Sequence, residues 1–498
     1  MLKRPPETQQ AELQRYHQVL RKAQAFPYAE TLRSVMVSPV FTCGPADTLE
    51  QVLGEMARKE VSSVVVVDAG QRPLGIITER DVMRRVLARG VKPQESTAQE
   101  VMTPEPVLLS PEDSIYRALS VLSAKGIKHL PLTDEQGRVV GIVTLRQLLK
   151  LRHPEPMMLI SRIQEAGAAQ ELAQVRAELP ALVASKLTQG IGATDVVAML
   201  SLVNHDVHRK ALELAIQEVG EPPGPFCLFV TGSHGRMENL LSPDQDHGMV
   251  LADEVAQELR YFMALGKVFS GNLEAAGFDF CPGYIMSMNP GWRKGLGEWK
   301  AQLRYWYERQ VPAVHRYLTL MYDARGIWGE MELFAELHDY AHRLLGEHHE
   351  LLRVLWEEEE GHRVPLGLWG RFITERKGPS RGYLDIKRSG LLFVVEAVRL
   401  LALLKGVRET STAGRLKALR EAGHLHPDDA QYYQGAYEIL LYFALRAQAQ
   451  RALEGLRPQA LLRPSALSGP ERQMLRQALR AVAALQKAVA GEFGRLVI

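Results

Sequence analysis

Residues 35–82 align without a gap onto residues 101–148, a constant offset of 101 − 35 = 66. A repeat of this size is one supersecondary unit used twice, and such copies bury their apolar faces against each other. Each copy opens on Val-Met and continues with a Pro-x-Asp turn, Pro45/Asp47 in one and Pro111/Asp113 in the other. An amphipathic stretch follows, then a β-branched run ending in Asp68 or Asp134, then a Gly-apolar-apolar-Thr element. The pattern predicts strand, helix, strand, strand, helix in each copy. In the first copy Val61–Val67 is the strongest β-forming run, a turn spans Asp68–Pro73, a strand covers Leu74–Thr78, and helix formers begin at Glu79.

A second constraint lies at Phe226–Leu251. The apolar run Phe226–Val230 predicts a buried strand, Gly232 permits a tight turn, and Ser233 can open a short helix whose free N–H groups face an anion. Asp244 and Asp246 then stand at the start of a second apolar run, where residues two apart share a face. Paired carboxylates there suit a hard divalent cation, Mg²⁺ or Mn²⁺, beside a nucleoside triphosphate. Alone, either motif reads as a polar turn between strands. Their occurrence in strand-turn-helix-strand order favours a nucleotide site.

This segment, with its longer pattern Gly-Ser-His-Gly-Arg-Met-Glu-Asn-Leu-Leu-Ser-Pro-Asp-Gln-Asp over 232–246, resembles the polymerase β-like nucleotidyltransferase superfamily, and within it a bacterial family often joined to CBS domains. Family-like features continue through Cys281–Trp292, Tyr322–Gly329 and Asp385–Leu391, so the resemblance covers about residues 155–490. More distantly it is similar to the uridylyl- and adenylyltransferases of nitrogen control, which keep a Lys where Asp385-Ile-Lys387 stands here. The resemblance implies Gly232 and Ser233 at the triphosphate, Arg236 pairing with phosphate or bracing the turn, Lys387 reaching a phosphate, and Asp244 and Asp246 as catalytic metal ligands. Two residues depart from the family pattern, His234 for an acidic residue and His247 for Asn. The superfamily's third carboxylate, which helps activate the attacking hydroxyl, has two candidates, Asp279 and Asp323. A complete carboxylate triad would favour an enzyme. A site with Asp244 and Asp246 alone would favour a non-catalytic, nucleotide-sensing or partner-binding protein.

The repeat resembles a tandem CBS pair, a Bateman module, over about residues 28–152. In adenosine-binding members, G-h-x-T-x-x-D puts Thr at a phosphate and Asp on the ribose hydroxyls. Gly75-Ile-Ile-Thr78-Glu-Arg-Asp81 matches it, whereas the second copy ends in Gln147 after Gly141 and Thr144. One good adenine-nucleotide site, built on Gly75, Thr78 and Asp81, is therefore implied. On the residues alone, Thr78 and Asp81 read equally as a helix cap. The resemblance also implies a homodimer through the CBS pair.

The expected architecture is multidomain α/β plus α. It comprises an N-terminal helical extension (1–27), the CBS pair (28–152), a helical connector (153–220), a polymerase β-like nucleotidyltransferase domain (221–330) and a mostly helical C-terminal domain (331–498). In the connector, His205 and His208 have a His-x-x-His spacing but no third ligand nearby, and read as ordinary helix-surface histidines. The run Gly390–Leu404, interrupted by Glu396 and Arg399, reads as a buried helix rather than a membrane span. Glu357–Glu360 reads as a solvated helix face.

A net charge of +2, from 60 Lys plus Arg against 58 Asp plus Glu, gives no footprint for general nucleic-acid binding, so a small-molecule or protein acceptor fits better. Three widely spaced cysteines, Cys43, Cys227 and Cys281, supply no disulfide framework, and the opening residues lack the apolar core of a signal peptide. A reducing cytoplasm is the expected setting. The expected function is signal transduction in which an adenine nucleotide on the CBS pair regulates Mg²⁺-dependent nucleotidyl transfer to a protein or small-molecule acceptor.

Overall fold

The structure, a computed structural model, describes residues 7–20, 31–149, 155–309, 312–347, 350–359, 361 and 363–494. The opening residues 1–6 and Glu360 of the acidic run lie outside them. The chain divides into two compact units, one of residues 27–165 and one that joins residues 1–26 to 166–498.

In the first unit the repeat becomes a pseudo-twofold pair. The strand Ser63–Val67 pairs in parallel with Thr42–Cys43 and antiparallel with Pro73–Thr78, and in the second copy His129–Thr133 pairs with Val139–Thr144. Each copy's sheet is finished by the other copy. Thr103 pairs with Ile76 of the first copy, and Val37, 66 positions earlier, bridges Ile142 of the second. The glycine opening each Gly-apolar-apolar-Thr element makes room for this exchange. A Cβ on Gly75 would lie 2.4 Å from Met102 Sδ, and one on Gly141 would lie 2.6 Å from Met36 Sδ. Val64, Val66 and Ile77 bury one sheet face against Leu49, Val52 and Met56 of the helix Leu49–Arg58.

The second unit is built around a sheet in the order Arg325–Gly329, Phe226–Val230, His247–Leu251, Arg293–Gly295. The first three are antiparallel neighbours, and Arg293–Gly295 runs parallel to His247–Leu251. Every residue of Phe226–Val230 and His247–Leu251 is buried, as unbroken apolar character in a central strand requires.

Of the expected connector, 153–220, residues 166–219 pack into this unit. The helix Ala193–Val219 lies against Leu259–Ala275, and its start is held by Glu438 of the long helix Pro427–Leu453, which accepts from Ala193 N and Thr194 Oγ1. The helix Glu7–Leu20 also belongs here, its Gln10 amide donating to Asp429 and its Glu12 accepting from Gln473 and Gln477. Leu392–Leu404 is the buried helix the sequence predicts, and no helix among the described residues is long and apolar enough to cross a membrane.

Candidate functional site

The strand Phe226–Val230 ends at Thr231, whose N–H donates to Asp246 O, and the chain then turns through Gly232 at φ +59° into the single helical turn Gly232–Gly235. Glycine is needed here twice over. The positive φ suits no bulky residue, and a Cβ would stand 3.1 Å from Asp246 Oδ2. Ser233 follows with its Oγ accepting from Asn239 Nδ2, 3.1 Å. The first N–H groups of any helical turn have no partner inside it, and these open beside the acidic pair.

Asp244 and Asp246 lie just ahead of His247–Leu251 on extended backbone, with Asp244 bridging Asp279 and Gln245 N donating to Asp279 O. Gln245, between them, faces the other way and is fully buried, its Nε2 donating to Ser270 O and Phe278 O. This anchor leaves both carboxylates on one side. Their oxygens and Cys281 Sγ all lie within 4.8 Å of one another, the one such group of three among the described residues. Burial and then the charge of Asp244 raise the Asp246 carboxyl to about 7, against the Cys281 thiol, Lys387 and Arg316, which favour its charged form. Burial and the adjacent Asp246 push the Cys281 thiol up to about 12. The arrangement concentrates negative charge that a divalent cation would neutralise. Lys387 is exposed, and its charge acts on both Asp246 and His234.

Neither candidate third carboxylate joins the cluster. Asp279 is exposed and ion-paired with Arg457. Asp323 is fully buried at the end of the helix Pro312–Tyr322, with Arg236 and Arg399 on Oδ2 at 2.6 and 2.7 Å and Arg415 Nη1 2.8 Å from Oδ1. Burial alone would raise its pKa, but the guanidiniums of Arg399, Arg236 and Arg415 hold it well below the usual carboxylate range. Asp323 is thus a structural anchor. Of the two roles expected for Arg236, pairing with phosphate or bracing the turn, these contacts favour the second, because its guanidinium is ion-paired with Asp323 and Glu238. Gly235 allows the approach, since a Cβ there would stand 1.9 Å from Asp323 O.

His205 and His208 are not surface histidines. Both are buried, with His208 edge-on to His234 at 4.7 Å, His205 Nε2 against His234 O at 3.0 Å and His208 Nδ1 against Asn204 O at 2.7 Å. The two family departures join them: His234 Nε2 meets Asp244 O at 3.1 Å, and His247 Nδ1 accepts from Ser287 N. Burial lowers the pKa of all four, so they form a neutral floor under the acidic pair. Cys281, which opens one of the family-like stretches, joins the site although it lies outside the Gly-Ser and DxD spacing, and the charge of Arg316, which the sequence pattern did not mark, acts on Asp246.

In the CBS unit Thr78 and Asp81 form a capping box on the helix that begins at Glu79. Asp81 Oδ2 accepts from Thr78 N and Oγ1 at 3.0 and 2.6 Å, and Asp81 Oδ1 accepts from Thr103 Oγ1 at 3.2 Å. Gln147 reproduces the first two bonds with Thr144, at 2.8 and 2.9 Å. Both copies therefore carry the cap, and Asp81 alone brings a charge to it.

Residues 177–313 match the family described as "Putative nucleotidyltransferase DUF294", residues 349–493 match the "Putative nucleotidyltransferase substrate binding domain", and residues 32–88 and 98–153 match the CBS domain. Among curated proteins, the uncharacterized protein MK0525 of Methanopyrus kandleri is 34% identical over 146 residues, 28% of this chain and 72% of that protein. An inosine-5'-monophosphate dehydrogenase of Methanocaldococcus jannaschii is 31% identical over 118 residues, and the match spans only 23% of its length. The solved CBS domain protein TA0289 of Thermoplasma acidophilum matches at 25% identity and a TM-score of 0.25, over 26% of this chain and 73% of that one. With a CBS pair, a Gly-Ser/DxD site and a helical C-terminal domain in this order, the chain belongs to the CBS-linked nucleotidyltransferase family described by these matches.

Proposed function

We propose that the chain is a nucleotide-sensing regulatory protein whose second unit binds a nucleoside triphosphate with Mg²⁺ or Mn²⁺ and transfers its nucleotidyl group to an acceptor. The observation that carries this reading is the convergence of the Gly232–Ser233 turn on Asp244 and Asp246, with the positive charges of Lys387 and Arg316 acting on Asp246. Asp244 and Asp246 would hold the metal, which when bound screens the triphosphate and polarises its phosphorus. The turn N–H groups would orient the phosphates, and Lys387 and Arg316 would offset the charge of the departing pyrophosphate as the acceptor's oxygen takes its place on the α-phosphorus.

In the CBS unit, Asp81 would leave its cap to hold the ribose hydroxyls of an adenine nucleotide. Gln147 has no charge with which to do the same.

The absence of a third carboxylate from the cluster among the described residues favours a second reading, a protein that binds triphosphate and a partner without turnover. Incubation of the purified protein with labelled triphosphates, Mn²⁺ or Mg²⁺ and host lysate separates the two. A labelled product that is lost in Asp244→Asn/Asp246→Asn supports transfer. Metal-dependent triphosphate binding with no labelled product supports the second reading.

A further inference from the structure

The net charge of the whole chain is +2, yet the segment from Arg363 to Arg388 holds seven basic and two acidic side chains, a net +5. Two turns organise it. In the first, Gly367 N donates to Arg371 O and Arg476 Nε to Gly370 O, at 2.8 and 3.0 Å, which presents Leu368 and Trp369 at 86% and 96% exposure. Trp369 sits at φ +62°, a conformation that is strained for a bulky residue and that this bonding holds in place. In the second, Glu375 N donates to Tyr383 O and Gly382 N to Glu375 O, closing a loop that carries exposed Arg376, Lys377 and Arg381. These three make no ion pair among the described residues. The extended stretch 371–375 joins the turns, so the apolar and basic patches lie within about 17 Å of each other, inside one standard-sized interface. The segment then leads through Asp385 into Lys387, whose charge acts on Asp246.

We propose that this segment docks an acidic protein and delivers it to the nucleotide site as the acceptor, an inference that rests on the transferase reading above. Charge complementarity names the partner: a surface rich in Asp and Glu, with an apolar recess for Trp369. A fully exposed Trp beside aliphatic Leu368 and Ile373, among cations of which five in seven are Arg, is the composition of a protein-binding hot spot. A strand of nucleic acid would instead call for successive aromatic platforms along a basic groove.

The test measures anisotropy of a fluorescent Glu-rich Glu–Tyr copolymer with the full-length protein, without metal or triphosphate, against labelled oligothymidylate. The copolymer is expected to bind more tightly than the oligonucleotide. Arg376→Ser/Lys377→Ser/Arg381→Ser should weaken it about tenfold or more, and Trp369→Ser should weaken it in a manner that added salt does not reproduce. Copolymer affinity unchanged in both variants, no copolymer binding at all, or tighter binding of oligothymidylate would each overturn the proposal. Triphosphate binding is read separately by calorimetry. If the docking surface is misassigned, metal-dependent triphosphate binding survives in the wild type while copolymer binding fails; if the transferase reading is wrong, copolymer binding survives while the wild type shows no metal-dependent triphosphate binding.

Discussion

Asp323→Asn separates an anchor from a metal ligand. The substitution keeps the shape of the side chain but removes the charge that faces Arg236, Arg399 and Arg415, all three of which are nearly buried. Removing one partner of a buried ion pair costs about 3–5 kcal/mol, because the remaining charge is left uncompensated in a poor solvent. Here three guanidiniums would be left facing one another, so the upper part of that range is expected. For a unit of this size about 2 °C of melting temperature is lost per kcal/mol, which gives a fall of roughly 8–10 °C. The assay is intrinsic fluorescence. All six tryptophans, from Trp292 to Trp369, lie in the second unit, so their emission follows that unit without interference from the CBS pair. Urea titration supplies the free energy and calorimetry the metal-triphosphate affinity. A variant as stable as the wild type that has lost metal-dependent triphosphate binding would show Asp323 to be the third ligand and refute the reasoning.

Asp244→Asn/Asp246→Asn should eliminate metal-dependent triphosphate binding in calorimetry while leaving the unit at least as stable, since it relieves two crowded carboxylates of which Asp246 is already raised to about 7. Gly232→Ala should weaken triphosphate binding about tenfold and cost about 1–3 kcal/mol in urea unfolding, because it places a side chain at φ +59° against Asp246. Asp81→Ala should weaken AMP binding to the full-length protein and Gln147→Ala should not; if the site regulates the transferase, AMP and triphosphate change each other's affinity by one common factor of about 5–150, measured by titrating each at saturation of the other. Acid should destabilise the second unit. Burial holds His338 at about 4 and His342 at about 3, below the unfolded value near 6.5, so the unfolded chain binds more protons as pH falls below about 6.5 and stability drops until the folded values are reached. His338→Gln should flatten that slope in a pH series of urea titrations.

The elements whose information is local were legible. The strand Phe226–Val230, the Gly232 turn, the placement of Asp244 and Asp246 and the two copies of the repeat all follow from periodicity and glycine. The buried helix Leu392–Leu404 was equally plain, although the purpose of its Arg399 was not, because Asp323 lies 76 residues away. The arginine cage could not be read from spacing: its members come from four segments that meet only in the folded unit. Residues 166–219 of the stretch 153–220 looked like a connector because their apolar stripes say that they pack but not against what, and His205 and His208 looked like surface residues because spacing does not show the burial that keeps them neutral. Cys281 opens a family-like stretch, but its place in the site was not legible, since a lone thiol becomes a site residue only when the fold lays it beside Asp246.

The exchange of edge residues between the two CBS copies bears on how this part of the chain can be cut. With Thr103 finishing the sheet of the first copy and Val37 that of the second, a break between residues 88 and 98 leaves each half with an unpaired edge ready to template another strand. Such a half meets its complement either in the other fragment or in an identical molecule, so nicked or truncated versions should re-associate in trans and form intertwined dimers. Hydrogen exchange should accordingly show the amides of Ile76 and Ile142 opening together, as members of one cooperative unit.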